Sequence, residues 1–260
     1  MAKRNVFRFL IDLVFPPACR ACGERQSVFE SKEPGVLCPN CLSLWQAQKE
    51  EGCCECGVPH TRCRCMPESL KDGGAQAMYH LAEYRPDRKN VASKLVLWCK
   101  DHNDREAFRF LAEQLAEPLR EALSNTEDSL HTTTVTYVPR RRAAVRATGH
   151  DHAKQIAHML SHELTLSYET LLRRKPLTKQ QKQLGAAERE KNAASSFEMA
   201  AGADVKGKTV VLIDDVCTTG ASLSTCVRLL SERGAARIIC AVVARTGKEK
   251  KSLTNTEFFI

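Results

Sequence analysis

Two adjacent acids are followed within five residues by two adjacent threonines and a glycine, in the order Asp214, Asp215, Val216, Cys217, Thr218, Thr219 and Gly220. The two carboxylates can accept hydrogen bonds from the 2′- and 3′-hydroxyls of a ribose. The two threonine hydroxyls can donate to a phosphate, and the glycine lets the backbone come close to it. These residue types and their spacing predict a site that recognises a sugar and its 5-phosphate together.

The segments on either side of this loop support that prediction. Residues 209–213 form an apolar run suited to a buried parallel strand. Residues 221–233 have helical spacing and end at Gly234, a residue favoured at helix C-termini. The free N–H groups and the dipole of that helix point at the loop and favour a phosphate. A helix cap would explain one of the four polar residues but not all of them.

Nine of the thirteen cysteines lie between Cys19 and Cys65. Disulfides would suit such a cluster in a small secreted protein. However, the apolar stretch at residues 6–15 is too short and too interrupted by charge for a signal peptide or a membrane span. We therefore expect a cytoplasmic protein in which paired cysteines hold metal.

Two groups of cysteines have the spacing of zinc ligands. The first group has two Cys-x-x-Cys pairs, and its members are Cys19, Cys22, Cys38 and Cys41. The second group ends in a tighter pair, and its members are Cys53, Cys56, Cys63 and Cys65, with Cys54 and His60 as alternative ligands. Four protein ligands leave no open coordination position. We therefore expect two structural zinc ions that fold a segment too small for its own core.

The later part of the chain predicts an α/β domain. Helical spacing occurs in residues 105–123 and 149–164, and strand-like runs occur in residues 132–138 and 237–244. Strands and helices in this order favour a parallel sheet with right-handed crossovers. The polar residues 173–191 are expected to form a mobile loop.

We expect two units, residues 1–70 and residues 77–250. The first combines a short amphipathic helix, whose apolar side packs on the protein itself, with a cysteine-rich ribbon poor in further helix. The 260 residues are 43% hydrophobic, which argues against wholesale disorder. Their formal net charge of +8 favours anionic partners, either nucleic acid or phosphate esters.

Over nearly its whole length the sequence resembles the ComF family of amidophosphoribosyltransferase-like competence proteins. The loop carries the resemblance, together with the segment from Tyr84 to Lys100, the basic stretch after Val138 and the pattern of residues 181–197. Residues 148–152 and Cys217 depart from the usual family pattern. The resemblance implies an α/β fold, with a type I phosphoribosyltransferase-like parallel sheet flanked by helices and preceded by a small double zinc ribbon.

The resemblance also implies 5-phosphoribosyl 1-pyrophosphate (PRPP) as the ligand, with Mg²⁺ on its pyrophosphate. Asp214 and Asp215 would then be the catalytic acids, and the loop through Ala221 would bind the ribose 5-phosphate. Arg140 and Arg141 are candidates for the pyrophosphate. A lid that excludes water would draw on Gln181, Arg189 and Asn192.

Three functions fit the sequence. The resemblance implies a phosphoribosyltransferase-like protein that binds PRPP or ribose 5-phosphate and serves DNA uptake in natural transformation. Its partners would be single-stranded DNA and the DNA-uptake helicase machinery. The alternatives are an active nucleobase-type phosphoribosyltransferase of salvage metabolism, and a single-stranded-DNA-binding module without turnover. The basic stretches 140–146 and 173–191 suit contacts to a phosphate backbone but contain no aromatic residue for base stacking.

Overall fold

The computed structural model describes residues 11, 13–26, 35–87, 89–124, 132–175 and 196–247. Helices α1 to α7 span Pro39–Glu50, Glu68–Asp72, Val91–Asp101, Arg105–Ser124, Arg142–Thr148, His152–Leu164 and Ala221–Glu232. Strands β1 to β7 span Ala77–Glu83, Thr133–Tyr137, Ser167–Tyr168, Leu172–Arg174, Phe197–Met199, Thr209–Cys217 and Arg237–Arg245.

Five strands form one sheet in the order β1-β7-β6-β2-β3, and every neighbouring pair in it is parallel. The side chains of β6 alternate between the two faces. Val211 and Ile213 join a hydrophobic cluster with α1, α3, α4 and α6, whereas Val210 and Leu212 join a second cluster with α2 and α7. Because both faces are covered, the strand sequence is apolar throughout its first half.

The order of the strands creates a crevice at one edge of the sheet. The chain passes from β2 to β3 in one direction and from β6 to β7 in the other. The carboxyl ends of β2 and β6 therefore flank a topological switch point, where open α/β sheets bind ligands. The N–H of Val138, just after β2, donates 2.9 Å to the carbonyl oxygen of Ile213 and holds the two ends together.

Three elements differ from the sequence-based expectation. Strand β6 continues through both acids to Cys217, because it pairs with β7 as far as Arg245. Residues 142–148 form the helix α5, which ends at Gly149 with a φ of 77°, rather than a basic loop. Residues 172–174 pair with residues 197–199 as a two-stranded sheet, whereas residues 176–191 of the expected loop lie outside the described residues.

The cysteine-rich segment contains more helix than we expected and packs on the later part of the chain. Helix α1 begins after Cys38, with Pro39 in its first turn. Its Trp45 is fully buried in the same hydrophobic cluster as the sheet and α4. The Trp45 indole N–H also donates 3.0 Å to the side chain of Gln114 on α4.

The expectation that the N-terminal helix packs on the protein is wrong for the residues that the structure describes. Ile11 and Val14 are 44% and 67% exposed. None of the helices in the described ranges is long and apolar enough to span a membrane.

Trp45→Ala should lower the free energy of unfolding by about 3–5 kcal/mol, because it leaves a cavity between α1 and α4 and removes one of the hydrogen bonds that Gln114 accepts. Leu44→Ala on the same helix is the matched control, since Leu44 is 47% exposed. Denaturant unfolding of both variants checks this prediction. Equal losses in the two variants would contradict the placement of α1.

Candidate functional site

A cavity of about 450 Å³ opens at the switch point between β2 and β6. Its wall combines apolar side chains with acids and bases, and it is lined by Tyr84, Lys100, Val138, Pro139, Arg140, His152, Arg174, Asp214, Asp215, Val216, Thr218 and Ser222. Its size and mixed lining are typical of a site for a small, charged ligand.

Asp215 is the most strongly held charge in this cavity. Its Oδ2 lies 3.0 Å from Nζ of Lys100 and 2.9 Å from Nε2 of His152. Burial would disfavour the carboxylate, but His152 and Lys100 outweigh burial and lower the pKa of Asp215. Asp215 is therefore an ionised carboxylate whose geometry is fixed from two sides.

Asp214 is in the opposite electrostatic state. Burial and the neighbouring charge of Asp215 raise the pKa of Asp214 well above its usual range. Its Oδ1 accepts the backbone N–H of Asp215 at 2.9 Å. The pair therefore combines one firmly ionised acid with one that is easily protonated and can donate as well as accept a hydrogen bond.

Helix α3 brings Lys100 to the site. The side chain of Asn90 caps the helix by accepting the N–H of Ser93 at 2.9 Å, and it donates to the carbonyl of Glu83 at 2.7 Å. At the other end of α3, the buried His150 ring lies 2.8 Å from the carbonyl oxygen of Cys99. Both ends of α3 are thus fixed, and Lys100 is positioned beside the acid pair.

Helix α6 brings His152 to the site from the other side. Asp151 caps this helix by accepting the N–H of Lys154, and it also accepts the N–H of Arg140 at 3.0 Å. His152 follows directly, and only 3% of its surface is exposed. Within the described part of the chain, its Nδ1 has no hydrogen-bond partner.

Two arginines complete the positive side of the cavity. Arg140 is half-buried, and its guanidinium lies 3.4 Å from both Thr148 Oγ1 and the carbonyl oxygen of His150. Arg174, on β4, lies over the ring of Phe197 at 4.7 Å. Burial and the nearby Arg141 lower the pKa of Arg174. An anion in the cavity would therefore relieve the repulsion between the Arg141 and Arg174 guanidinium groups.

The structure brings some of the predicted substrate-binding residues into the cavity and not others. Those that line it are Arg140, Asp214, Asp215, Val216 and Thr218. The others lie beside it, Cys217 and Gly220 being buried and Arg141, Thr219 and Ala221 exposed. The proposed lid residues Gln181, Arg189 and Asn192 lie outside the described residues.

Several cavity residues were not identified from the loop motif. Tyr84 and Lys100 lay at the ends of a segment singled out by family resemblance alone, and His152 lay in a segment noted for its departure from the family pattern. Arg174 lay in a basic stretch that was assigned to a phosphate backbone rather than to this cavity, and Ser222 had no distinguishing local signal. Each comes from a different element, so only the sheet order and the helix packing bring them together.

The first cysteine group converges on one point. The sulfur atoms of Cys19, Cys22, Cys38 and Cys41 all lie within 4.8 Å of one another. Those of Cys22 and Cys38 are 3.7 Å apart. A zinc ion with four sulfur ligands at about 2.3 Å would set them about 3.8 Å apart, so this cluster could hold a zinc ion.

The second cysteine group converges in the same way. It consists of Cys53, Cys56, Cys63 and Cys65, whose sulfur atoms also lie within 4.8 Å of one another. The sulfur atoms of Cys56 and Cys63 are 3.6 Å apart. The alternative ligands point elsewhere, since Cys54 is exposed and the buried His60 lies 3.1 Å from the ring nitrogen of His80.

The electrostatics of the clusters also suit a cation. Burial disfavours the Cys19 thiolate, but the N–H groups of Cys38 and Cys22 outweigh burial and lower the pKa of Cys19 to about 7. In the second cluster, burial raises the pKa of Cys65 to about 11. Four thiolates this close repel one another, and Zn²⁺ supplies the charge that would let all four ionise.

Comparison with known proteins identifies the later part of the chain. Residues 144–259 match the model of the phosphoribosyl transferase domain family. Residues 144–259 are thus similar to phosphoribosyltransferase domains, in agreement with the enzyme class expected from the sequence. Together with the observed sheet, the match confirms the type I phosphoribosyltransferase fold class, with cysteine clusters ahead of it compatible with a small zinc ribbon.

One curated relative is a ribose-phosphate pyrophosphokinase of Marinomonas sp. (strain MWYL1), which is 40% identical over 55 residues. That alignment covers 20% of this chain and only 18% of the relative. The similarity is therefore confined to a short part of each protein.

Three of the solved structures that match part of this chain are the following. Glutamine PRPP amidotransferase from B. subtilis, complexed with ADP and GMP, is 23% identical, with a TM-score of 0.37 and coverage of 53% of this chain and 26% of that chain. Purine phosphoribosyltransferase from Pyrococcus horikoshii Ot3 is 19% identical, with a TM-score of 0.32 and coverage of 54% and 83%. Adenine phosphoribosyltransferase from Rhodothermus marinus DSM 4252 is 23% identical, with a TM-score of 0.33 and coverage of 55% and 69%.

The purified protein should contain about two zinc ions per chain. Cys56→Ser should lower this number to about one, because it removes one of four ligands from the second cluster. Cys54→Ser is the matched control, since Cys54 is equally exposed but lies outside the cluster. Elemental analysis measures the zinc content. Loss of zinc in the Cys54 variant, with retention in the Cys56 variant, would contradict the ligand set.

Proposed function

We propose that this protein is a ComF-type phosphoribosyltransferase that binds PRPP, or ribose 5-phosphate, in the cavity between β2 and β6. The observation that carries the proposal is the arrangement of charges there. An acid pair lies at the end of β6, the N-terminus of α7 lies beside it, and cationic side chains line the same cavity. A ligand that carries sugar hydroxyls and phosphates on one ring would match all three features.

The sugar and its 5-phosphate would occupy the end of the cavity formed by β6 and α7. Asp214 offers the ribose hydroxyls an acceptor and a donor, and Asp215 holds a fixed negative charge nearby. The 5-phosphate would lie against Thr218 and the backbone N–H groups at the start of α7, where the helix dipole favours an anion. Gly220 permits that approach, because it adopts a φ of 78° without a side chain.

The pyrophosphate would lie against the cations. Lys100, Arg140 and Arg174 line the cavity, and each can stabilise the charge that develops as the bond between C1 of the ribose and the pyrophosphate breaks. The acceptor would form the new bond to C1, and pyrophosphate would leave with the electron pair. The negative charge of Asp215 would favour the positive charge that develops on the sugar ring.

The donor set of the cavity fits Mg²⁺ on the pyrophosphate. Mg²⁺ keeps several waters and takes phosphate oxygens, so one carboxylate suffices to hold it. Asp214, once the charge of the ion favours its ionised form, would be that carboxylate, since Asp215 is paired with Lys100 and His152. Bound Mg²⁺ would neutralise part of the charge on the leaving pyrophosphate.

A link to DNA uptake rests on the sequence resemblance and on one surface feature. Arg141, Arg142 and Arg146 are exposed beside the cavity, where they suit the phosphates of single-stranded DNA. The DNA-uptake helicase machinery is the corresponding protein partner. Alternatively, the same cavity could serve nucleobase salvage, and a screen of bases and oligonucleotides for pyrophosphate release distinguishes these acceptors.

Arg140→Gln should weaken PRPP binding about tenfold to a hundredfold, since hydrogen bonds to charged groups contribute about 1.5–3 kcal/mol each. Arg142→Gln is the matched control, because Arg142 is exposed and outside the cavity lining. Calorimetry with PRPP and Mg²⁺ measures both. A normal PRPP isotherm for the Arg140 variant, beside a lost oligonucleotide signal, would assign this arginine to nucleic acid instead.

Asp214→Ala should weaken ribose 5-phosphate binding by about tenfold or more, because it removes both the acceptor and the donor that Asp214 offers the ribose hydroxyls. Glu232→Gln, an exposed acid at the far end of α7, should leave binding unchanged. Calorimetry measures the affinity, and thermal unfolding verifies that both variants fold. Unchanged affinity in the Asp214 variant would sink the assignment of the ribose site.

A further inference from the structure

The segment that follows the second cysteine cluster packs against the back of the phosphate loop. Gly220 lies so close to this segment that a Cβ there would be 2.8 Å from Cδ1 of Leu70 and 3.0 Å from Cγ of Pro67. Leu70 is fully buried. We call this segment, residues 67–70, the brace. It packs against the turn at Gly220, and its residues do not line the cavity.

The brace is also hydrogen-bonded to the helix that follows the loop. Oγ of Ser224, in the first turn of α7, donates 2.7 Å to the carbonyl oxygen of Ser69. Leu70 belongs to the hydrophobic cluster that includes Leu223 and Val227 of α7. The position of the brace therefore helps to set the position of the first turn of α7, whose N–H groups face the proposed phosphate.

The second cluster lies immediately before the brace and is tied to the same region of the sheet. Cys65, its last member, precedes Pro67 by two residues. The buried Arg245 donates 3.2 Å to the carbonyl oxygen of Cys65 and 2.5 Å to the side chain of Glu55. Arg245 ends β7, where it lies opposite Cys217 of β6, and the next residue donates 3.0 Å to the carbonyl oxygen of Cys217.

We infer that zinc in the second cluster positions the phosphate loop, so that zinc and ribose 5-phosphate stabilise each other's binding. The inference rests on the proposed function. Zinc fixes Cys65 and with it the start of the brace, while Leu70 and Ser69 transmit that position to Gly220 and α7. Arg245 provides a second connection, from the cluster to the strand end where the loop begins.

Loss of the metal would weaken both connections. Four thiol groups without a cation either repel as thiolates or become protonated and separate. Either change frees Cys65, and the brace then loses one of its two fixed ends. The turn at Gly220 would lose its support. The free-energy cost of ordering the loop would then offset part of the binding energy of the phosphate and lower its affinity.

Coupling between two sites is reciprocal. A ligand that favours one conformation of the protein raises the affinity of every other ligand that favours the same conformation. Ribose 5-phosphate should therefore raise the affinity of the second cluster for zinc. It should also slow the loss of zinc, because a fixed brace restricts the movement of Cys65 that releases the ion. A coupling of ordinary size changes affinity about 5-fold to 150-fold. The first cluster has no contact with the brace among the described hydrogen bonds and ion pairs, and it should lose zinc at an unchanged rate.

The test measures transfer of zinc from the full-length protein to a chromogenic chelator, with and without saturating ribose 5-phosphate. The variant Cys22→Ser lacks the kinetic phase of zinc release from the first cluster, so the remaining phase of release belongs to the second cluster. We expect ribose 5-phosphate to slow this remaining phase at least about fivefold. Cys56→Ser isolates the first cluster in the same way, and its phase should not respond.

Leu70→Ala should abolish the effect of ribose 5-phosphate on zinc release, because it removes the contact between the brace and Gly220. Leu230→Ala is the matched control, since Leu230 is equally buried in the same hydrophobic cluster but at the far end of α7. Ser224→Ala is a milder variant that keeps the core intact. It should reduce the effect even where Leu70→Ala fails to fold.

Calorimetry on the unchanged protein separates this inference from the proposed function. No binding of ribose 5-phosphate would overturn the proposed function and the inference with it. Normal binding, with zinc release from the second cluster unchanged by ribose 5-phosphate, would overturn the inference alone. Retention of the full effect in both the Leu70 and Ser224 variants would overturn the route through the brace.

Discussion

The buried negative charge of Asp215 is the constraint on which the arrangement of the site depends. A carboxylate in a partly desolvated crevice is costly unless cations or hydrogen-bond donors surround it. Lys100 and His152 meet that need from two helices that approach from different sides. Helix α3 must therefore end, and helix α6 must begin, within a few ångströms of β6, the strand that carries the acid. The cap at Asn90, the buried His150 and the cap at Asp151 fix those ends.

The features that the sequence predicted are those that depend on neighbours along the chain. The strand before the acids, the helix after Gly220 and the two cysteine groups all follow from spacing within a few residues. The extension of β6 to Cys217 depends instead on pairing with β7, about thirty residues later. Similarly, Lys100 and Arg174 reach the cavity only through the order of the strands, which local patterns do not specify. The helix α1 was missed because its apolar positions are few and its one large buried residue, Trp45, packs on a distant helix.

Zinc held by the cysteine clusters would compensate for a shortage of apolar residues in the N-terminal segment. A segment of this size cannot form a stable core by itself, and metal ligation is one of the usual remedies. In this protein, metal ligation would act together with packing of the segment on the later part of the chain. Cys41 and Trp45 lie in the main hydrophobic cluster, and Arg20, between two ligands, pairs with Asp104 at 2.9 Å. Because both groups of this pair are only 15% exposed, it also fixes the orientation of the first cluster on α4.

The contact between Glu55 and Arg245 joins residues 190 positions apart. During synthesis, at about 5–20 residues per second, Glu55 is complete roughly 10–40 seconds before its partner. The second cluster can bind zinc throughout that interval, but it cannot yet adopt its final position against the sheet. The cysteine-rich segment therefore cannot complete its packing until strand β7 has been synthesised. A ribosome that stalls before Arg245 would leave a metal-loaded cluster with its docking surface still absent.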